Sequence, residues 1–374
     1  MPTIGPKTLG ILGGGQLAKL TTLAALNLGF RVHIYAQDPS EPACQCTSQV
    51  TIGDFEDIDK IKQFSDRVDF VTLENEFVSS EVLKIMAEKC RPSSEYFSRF
   101  EDKIIEKTTA KDLGIPCVDF QEILKEEDLE SFFSLHKAGV LKLAKGGYDG
   151  CGNCVVDSLE SAKKQFAQWE GRKLLIEEKL DFLMEASVIV ASNGNEVLCY
   201  PVAETIQSNQ ICHFTIVPAN ISEGLQTQMQ EYAKKLVTQL KGVGLFCFEF
   251  FITKEHHVLF NEMAPRPHNS GHLTMESSLT SQYQNLVRAV VGMPLGSTEL
   301  VDEQNYVMVN LLGSEGPEDN SNIDLLKDYS DVSFYLYGKA ESRKGRKMGH
   351  ATGRGRDREA LLERLQKLKD EFSI

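Results

Sequence analysis

An α/β protein with α+β lobes, opening on a Rossmann-like domain, is the fold class this sequence predicts, and three observations predict it. The chain starts with strand, glycine turn, helix and strand. Through its middle, strand-like segments alternate with runs of helical periodicity. Further on, two apolar strand-like runs, LFCFEFFI and HVLFNEM, are joined by the short polar turn TKEH. At 374 residues the chain is too long for one simple core and suits several domains.

Taken in order, Leu9 to Leu12 is the first strand, and Gly13, Gly14 and Gly15 make the turn. Gln16 to Leu28 repeats apolar residues at helical spacing and Gly29 ends it. Arg31 to Tyr35 is the second strand, stopping at Asp38-Pro39. Gly13-x-Gly15-x-x-Ala18 satisfies a dinucleotide fingerprint, with Asp38 where a ribose-binding acid would fall. The same turn also suits a plain phosphate at a helix N-terminus. A third strand, Phe70 to Leu73, ends at Glu74 and Glu76, and this domain closes near residue 100.

The next region follows the helical stretch EDKIIEKTTAKDLGIP. A strand, Val140 to Ala144, enters KGGYDGCGN, with four glycines between Gly146 and Gly152. Such a loop cannot pack a core, but its backbone N–H groups can approach a ligand closely. Lys142 and Lys145 add positive charge, so phosphate is the natural partner; the Walker pattern GxxxxGK[ST] is absent. Leu174 to Ile176 then forms a strand meeting Glu177-Glu178-Lys179-Leu180. That junction can offer backbone groups to an adenine and a carboxylate to a ribose. Glu185 opens the strand after it.

LFCFEFFI and HVLFNEM form an antiparallel hairpin, in which opposed residues have numbers of constant sum. A turn near Glu255 and His256 sets that sum near 511, and Glu249 with Glu262 matches it. Two carboxylates roughly 5 Å apart at Cβ repel one another unless a cation lies between them. Hard divalent ions such as Mg²⁺ prefer such oxygens and share them with substrate phosphates. Just beyond, Pro265 and Pro267 stiffen a segment carrying Arg266, His268 and His272, a density of directional groups typical of a site on a rigid frame. The last segment holds the strand YVMVNLLG, a basic cluster of Lys339, Arg343, Lys344, Arg346 and Lys347, and a helix striped by Leu361, Leu362, Leu365 and Leu368.

Forty basic residues against 54 acidic ones give a formal net charge of −14. That argues against a nucleic-acid polymer as partner, while a local basic cluster still allows a small anion. No segment has the roughly 20 apolar residues needed to cross a bilayer, and the N-terminus lacks a signal-peptide core. Nine irregularly spaced cysteines suit reduced thiols in a cytoplasmic protein. Cys151 and Cys154 form a CxxC in a glycine loop without a second such pair, better explained as loop residues than as a metal or redox site.

Taken together, GILGGGQL, the Glu74 region, GGYDG, FEFF, NEMAPRPHNSGH, MVNLLG and GRKMGH resemble the ATP-grasp enzymes, and within them the 5-(carboxyamino)imidazole ribonucleotide synthase family of purine biosynthesis. The resemblance implies an ATP-grasp fold with an N-terminal pre-ATP-grasp domain (1–103), a central lid domain (104–184), a catalytic domain (185–299) and a small C-terminal domain (300–374) packed on the catalytic body. It implies a ligase using ATP and two Mg²⁺ ions to join bicarbonate to the amine of 5-aminoimidazole ribonucleotide through carboxyphosphate, in a cytoplasmic homodimer.

By the same resemblance Lys103, Lys142, Gly147, Gly150 and Gly152 hold the ATP phosphates. Glu177, Glu178, Lys179, Leu180, Glu185 and Asn261 hold the rest of the nucleotide. Glu249 and Glu262 bind the metal. Gly15, Gln16, Leu17 and Glu74 line the ribonucleotide site, and Arg346 and Lys347 take its phosphate. Tyr148, Asp149, Arg266 and His268 act on the reacting groups, with Asn269 and Ser270 beside them. The chain departs from the family pattern at Cys151, where a lid lysine is usual, and at Asn153, Lys103 and Ala144. These changes bear on turnover rather than on the fold. A dinucleotide-dependent oxidoreductase would leave Glu249, Glu262 and GGYDG without a role. A second ATP-grasp activity, formate-dependent glycinamide ribonucleotide transformylation, would not share HNSGH and GRKMGH. A nucleotide-binding protein that has lost turnover is the non-enzymatic alternative.

Overall fold

The computed structural model describes residues 7–76, 78–147, 152–208, 210–314 and 323–372. Tyr148, Asp149, Gly150 and Cys151 lie outside the described residues.

Four parallel strands open the fold: β1 (Thr8–Leu12), β2 (Arg31–Ala36), β3 (Val50–Ile52) and β4 (Phe70–Leu73), in the order β3-β2-β1-β4. Every residue of β1 is buried, as expected of a central parallel strand with helices packed on its sheet. The helix Gln16–Asn27 leaves directly from the glycine turn, and Gly29 ends the segment at φ +82, a backbone shape that favours glycine.

A second sheet is antiparallel: β5 (Phe120–Ile123), β6 (Gly139–Leu143), β7 (Asn153–Val156) and β8 (Leu174–Glu178), ordered β5-β8-β6-β7. It has its own core, in which Leu141 and Leu143 pack with Ile123, Leu129, Phe132 and Ile176. Because side chains alternate along a strand, Lys142 between those leucines faces the other side.

The third sheet has nine strands: β9 (Phe182–Ser192), β10 (Val197–Cys199), β11 (Ala203–Ser208), β12 (Ile211–Val217), β13 (Gly244–Thr253), β14 (Val258–Ala264), β15 (Asn305–Leu312), β16 (Ser333–Leu336) and β17 (Lys347–Gly355). Its order is β14-β13-β9-β11-β12-β15-β17-β16, with β10 on β9. The strands after residue 300 therefore continue the same sheet through the β12–β15 ladder. β9 begins at Phe182, so Glu185 lies inside the strand rather than at its start. The terminal helix Arg358–Glu371 covers β15 and β17 with Leu361, Leu365 and Leu368, all buried. Each such leucine contributes about 1.5–3 kcal/mol. No helix among the described residues is long and apolar enough to cross a membrane.

In the β13–β14 hairpin, Ile252 pairs with Val258 and Phe250 with Phe260, a sum of 510 rather than 511. A bulge between Glu249 and Phe250 then moves the ladder by one residue, and Glu249 faces Glu262. Asn261 is the extra residue. Without the bulge Glu249 would face Asn261, so this local irregularity makes the carboxylate pair.

Candidate active site

Directly opposed residues of an antiparallel ladder share a face. Glu262 faces Glu249, and Glu249 faces Ser187, so the three line up across β14, β13 and β9. Glu185, two residues before Ser187, lies on that same face. Glu185, Glu249 and Glu262, three of the acids singled out from the sequence, thus gather on one face of the long sheet.

The helix Lys103–Asp112 fixes this hairpin from outside. Asp102 caps it by accepting from the N–H of Ile104 at 2.9 Å. Its residues 103, 106 and 107 form one face. The Lys107 ammonium, 1% exposed, donates to the carbonyl of Asn261 at 2.7 Å. The Glu106 carboxylate accepts from the N–H of Met263. Both peptide groups flanking Glu262 are therefore held by one helical turn, and Lys103 pairs with the Glu262 carboxylate itself. Lys107 also lies 3.0 Å from Glu177, whose other oxygen is 2.9 Å from Lys142. Glu177 thus holds two lysines with its carboxylate, and Glu178 turns towards His136, 3.7 Å away. Glu106 and Lys107 were not singled out from sequence. No local signal marks them, because a charged helical face reads alike whether it meets solvent or other charges.

The two acids of the pair differ in charge state. Lys103, with burial opposing it, holds Glu262 well below the usual carboxylate range. Burial, with Glu262 and Glu185 nearby, pushes Glu249 up to about 8. Glu185 is raised to about 7, first by burial and then by Glu262.

The loop after β14 supplies the directional groups. Arg266 forks onto Glu76, with Nη2 at 2.8 Å from Oε1. Burial raises Glu76, but the guanidinium outweighs it and keeps the carboxyl below its ordinary value. Glu76 follows β4, so this pair ties the first domain to the loop after β14. His268 Nδ1 receives hydrogen bonds from Ser270 Oγ at 2.9 Å and from the Ser270 N–H at 3.3 Å. With Nδ1 accepting, the proton sits on Nε2, which points at Glu249 Oε1, 3.2 Å away. Burial, then Arg266 and Lys347, lowers His268 to about 3, so the ring is neutral. Ser187 in turn donates to Ser270 Oγ at 2.7 Å. Asn269 exchanges two amide hydrogen bonds, 2.8 and 2.6 Å, with buried Asn310 of β15, a residue within MVNLLG with no role assigned from sequence.

At the glycine turn, carboxylates occupy the N–H groups. Gly15 donates to Glu74 at 2.8 Å and Gly14 to Glu41 at 3.1 Å. Burial and Glu41 push Glu74 up to about 7, against the Gly15 N–H. Asp38, the fingerprint's ribose acid, instead accepts from Ser40 Oγ at 2.6 Å. A pyrophosphate would meet two acids here, which tells against a dinucleotide. Gln16 is half-buried beside the turn and Leu17 packs in the core. Arg346 Nη1 donates to the carbonyl of Glu341 at 2.8 Å. The charge of Lys347 acts on Glu249 and, after burial and Arg266, on His268. Gly146 and Gly152, at φ +77 and +90, bound the glycine loop, and the carbonyl of Gly152 accepts from the N–H of Leu143 at 2.9 Å. Gly147 is half-buried, and Lys179 and Leu180 lie at the solvent-facing end of β8.

The donor set suits a hard divalent ion. Glu249 and Glu262 face each other, and Asn261 Oδ1 and Glu185 Oε2 are buried without a hydrogen-bond partner among the described residues. All are oxygens, the ligands Mg²⁺ selects. Among the described residues no three acidic, histidine or cysteine side chains close a cage.

Comparisons with known proteins agree with this geometry. The ATP-grasp domain model matches residues 108–283, the ribonucleotide synthetase preATP-grasp domain 6–96, and the phosphoribosylaminoimidazole carboxylase C-terminal domain 307–364. The N5-carboxyaminoimidazole ribonucleotide synthase of Bacillus subtilis is 34% identical over 92% of this chain and 90% of its own. That of Aquifex aeolicus is 34% identical over 96% of each. Among solved structures, the Thermotoga maritima N5-carboxyaminoimidazole ribonucleotide synthetase superposes with TM-score 0.88 at 34% identity, covering 98% of this chain and 99% of that one. The Aspergillus clavatus enzyme in complex with ADP and 5-aminoimidazole ribonucleotide gives 0.90 at 30% identity, covering 97% and 98%. With its three domain models in order and relatives matching end to end, the chain belongs to the N5-carboxyaminoimidazole ribonucleotide synthase family of ATP-grasp ligases.

Proposed function

We propose that this protein is the ATP- and bicarbonate-dependent ligase that carboxylates the 5-amine of 5-aminoimidazole ribonucleotide, releasing ADP and phosphate through carboxyphosphate. The observation that carries this reading is the meeting of three groups. The Glu249–Glu262 pair, the Arg266–His268–Asn269–Ser270 loop and Lys142 of the second sheet converge around Glu177 and the β13–β14 hairpin.

In this reading Lys142 and Lys103, with the glycine loop from Gly146 to Gly152, hold the triphosphate. Glu177 keeps Lys142 in place, while Glu178, Lys179, Leu180, Glu185 and Asn261 line the adenosine side. Glu249 and Glu262 would hold Mg²⁺, which, when bound, neutralises phosphate charge as the phosphoryl group moves. Arg266, pre-oriented by Glu76, offers a fork to a carboxylate-like anion. Neutral His268 donates from Nε2 and cannot add positive charge. Glu74, Gly15, Gln16 and Leu17 take the ribonucleotide, with Asn269, Ser270, Arg346 and Lys347 closing its far side. Tyr148 and Asp149 belong to the same proposal. Exclusion of water matters because carboxyphosphate hydrolyses readily. The four-part domain division, a second metal ion, a homodimer and a cytoplasmic setting are carried with this proposal.

The test is ADP release with Mg-ATP under three conditions: alone, with bicarbonate, and with bicarbonate plus the ribonucleotide. Turnover that requires the ribonucleotide is the expected result. ATP binding with no turnover in any condition would overturn it in favour of a protein that has kept only nucleotide binding.

A further inference from the structure

We infer that Lys103 is the resident cation of the carboxylate pair: its ammonium holds Glu262 until a nucleoside triphosphate draws it away, so a divalent ion loads together with the nucleotide and not ahead of it. This rests on the proposed metal role of Glu249 and Glu262.

Three observations support it. First, Lys103 makes a direct ion pair with Glu262, its side chain only 16% exposed. Second, the neighbouring lysines are already committed: Lys107 and Lys142 lie 3.0 and 2.9 Å from Glu177. Lys103, which makes no such pair with Glu177, is in direct contact with Glu262. Third, Lys103 sits where the two sheets join. Its N–H donates to the carbonyl of Ala144 at 2.9 Å, at the end of the strand that carries Lys142.

The position favours exchange. Lys103 is the first residue of its helix, where the backbone's partial positive charge disfavours an ammonium and favours an anion. Glu262 compensates one unit of that charge, whereas a triphosphate brings several. The lysine stem is flexible and its head is a compact point charge, so it can pass from a carboxylate to a phosphate without moving the helix. A divalent ion arriving alone must compete with an ammonium that is already in place. One arriving with the nucleotide finds Glu262 released by the phosphates it accompanies.

The experiment counts free Mn²⁺ by electron paramagnetic resonance with the full chain at fixed pH, first without nucleotide and then with a non-hydrolysable ATP analogue. Wild type should bind Mn²⁺ weakly alone and tightly with the analogue. Lys103→Met should bind Mn²⁺ at least about tenfold tighter than wild type without nucleotide, because one competing charge is gone, and should bind the analogue more weakly. Lys103→Arg keeps the charge and should stay as weak for Mn²⁺ alone as wild type. The inference is overturned if Lys103→Met binds Mn²⁺ no tighter than wild type, or if Lys103→Arg tightens as much as Lys103→Met. Glu262→Gln separates the two ideas. If it leaves analogue-dependent Mn²⁺ binding unchanged, the metal role of the pair fails; if it abolishes that binding while Lys103→Met changes nothing, only the resident-cation idea fails.

Discussion

Replacing Lys107 by Met tests whether the buried charges at the junction of the two sheets act as one unit. Lys107 is 1% exposed and Glu177 2%; they lie 3.0 Å apart, and the same ammonium holds the carbonyl of Asn261. Removing one member of such a pair costs roughly 3–5 kcal/mol, because the remaining charge stays buried. Lys142 still neutralises Glu177, so the lower end, about 3 kcal/mol, is expected here. With a urea slope of about 1–3 kcal/mol per molar, the midpoint should fall by about 1–3 M. The single tryptophan, Trp169, packs against the core of the β5–β8 sheet, so its fluorescence reports the lobe that carries Glu177. Glu177→Gln should cost a similar amount and raise the KM for ATP about tenfold, an allowance of about 1.4 kcal/mol for a misplaced Lys142. The double variant should be more stable than the sum of the two changes predicts by at least about 1.5 kcal/mol, since it no longer leaves a buried Lys107 ammonium without its carboxylate. Strict additivity, or a Lys107→Met midpoint within about 0.3 M of wild type, would refute the coupling.

Glu262→Gln should lower ATP turnover by at least about a hundredfold, since a charged metal ligand becomes neutral; near-normal activity would remove the metal assignment. Asn310→Leu should raise the KM for the ribonucleotide with little change in that for ATP, and cost roughly 1–3 kcal/mol of stability, because Asn269 is left with an unpaired amide; equal effects on both KM values would contradict it. Glu74→Gln tests the raised carboxyl at the glycine turn. Glu74 titrates near 7 when folded against an ordinary 4.5, so its favourable contribution is present below 4.5 and lost as pH rises through 7. The variant should therefore gain roughly 3 kcal/mol on wild type between pH 4.5 and pH 8, read as the difference between their urea midpoints; a gap that does not change with pH would refute the burial argument.

The carboxylate pair was legible because hairpin arithmetic needs only a turn position and two acids. The bulge at Asn261 was not; around it Lys107 and Glu106 hold the backbone on either side of Glu262 from positions 154 and 157 residues upstream of their partners, and nothing local announces such contacts. Those two residues looked like an ordinary solvated helix face, since a sequence does not show that a charged stripe is buried against other charges. Glu76 stood out as an acid after a strand, but its partner Arg266 is 190 positions away. The Rossmann-like start and the terminal helix followed from local periodicity. The pairing of β12 with β15 did not, because the ladder joins segments separated by a long connection and nothing in their composition names the partner.

That ladder has a mechanical consequence. From β14 at one edge to β16 at the other, a single hydrogen-bonded plate carries Glu249 and Glu262, Asn310 and the strand that begins at Lys347. Distances between these groups can change only if the plate itself shears, which would break several rungs at once. Lys142 is mounted on a separate plate, attached at the Lys103–Ala144 contact, through Lys107 between Glu177 and the Asn261 carbonyl, and at the passage from β8 to β9. Freedom of movement is therefore unequally shared: Glu249, Glu262 and Asn310 keep a fixed backbone spacing, and adjustment falls to the smaller plate that carries Lys142. With Lys142 on the triphosphate, as proposed, nucleotide affinity should then respond to substitutions at the joint that touch no ligand.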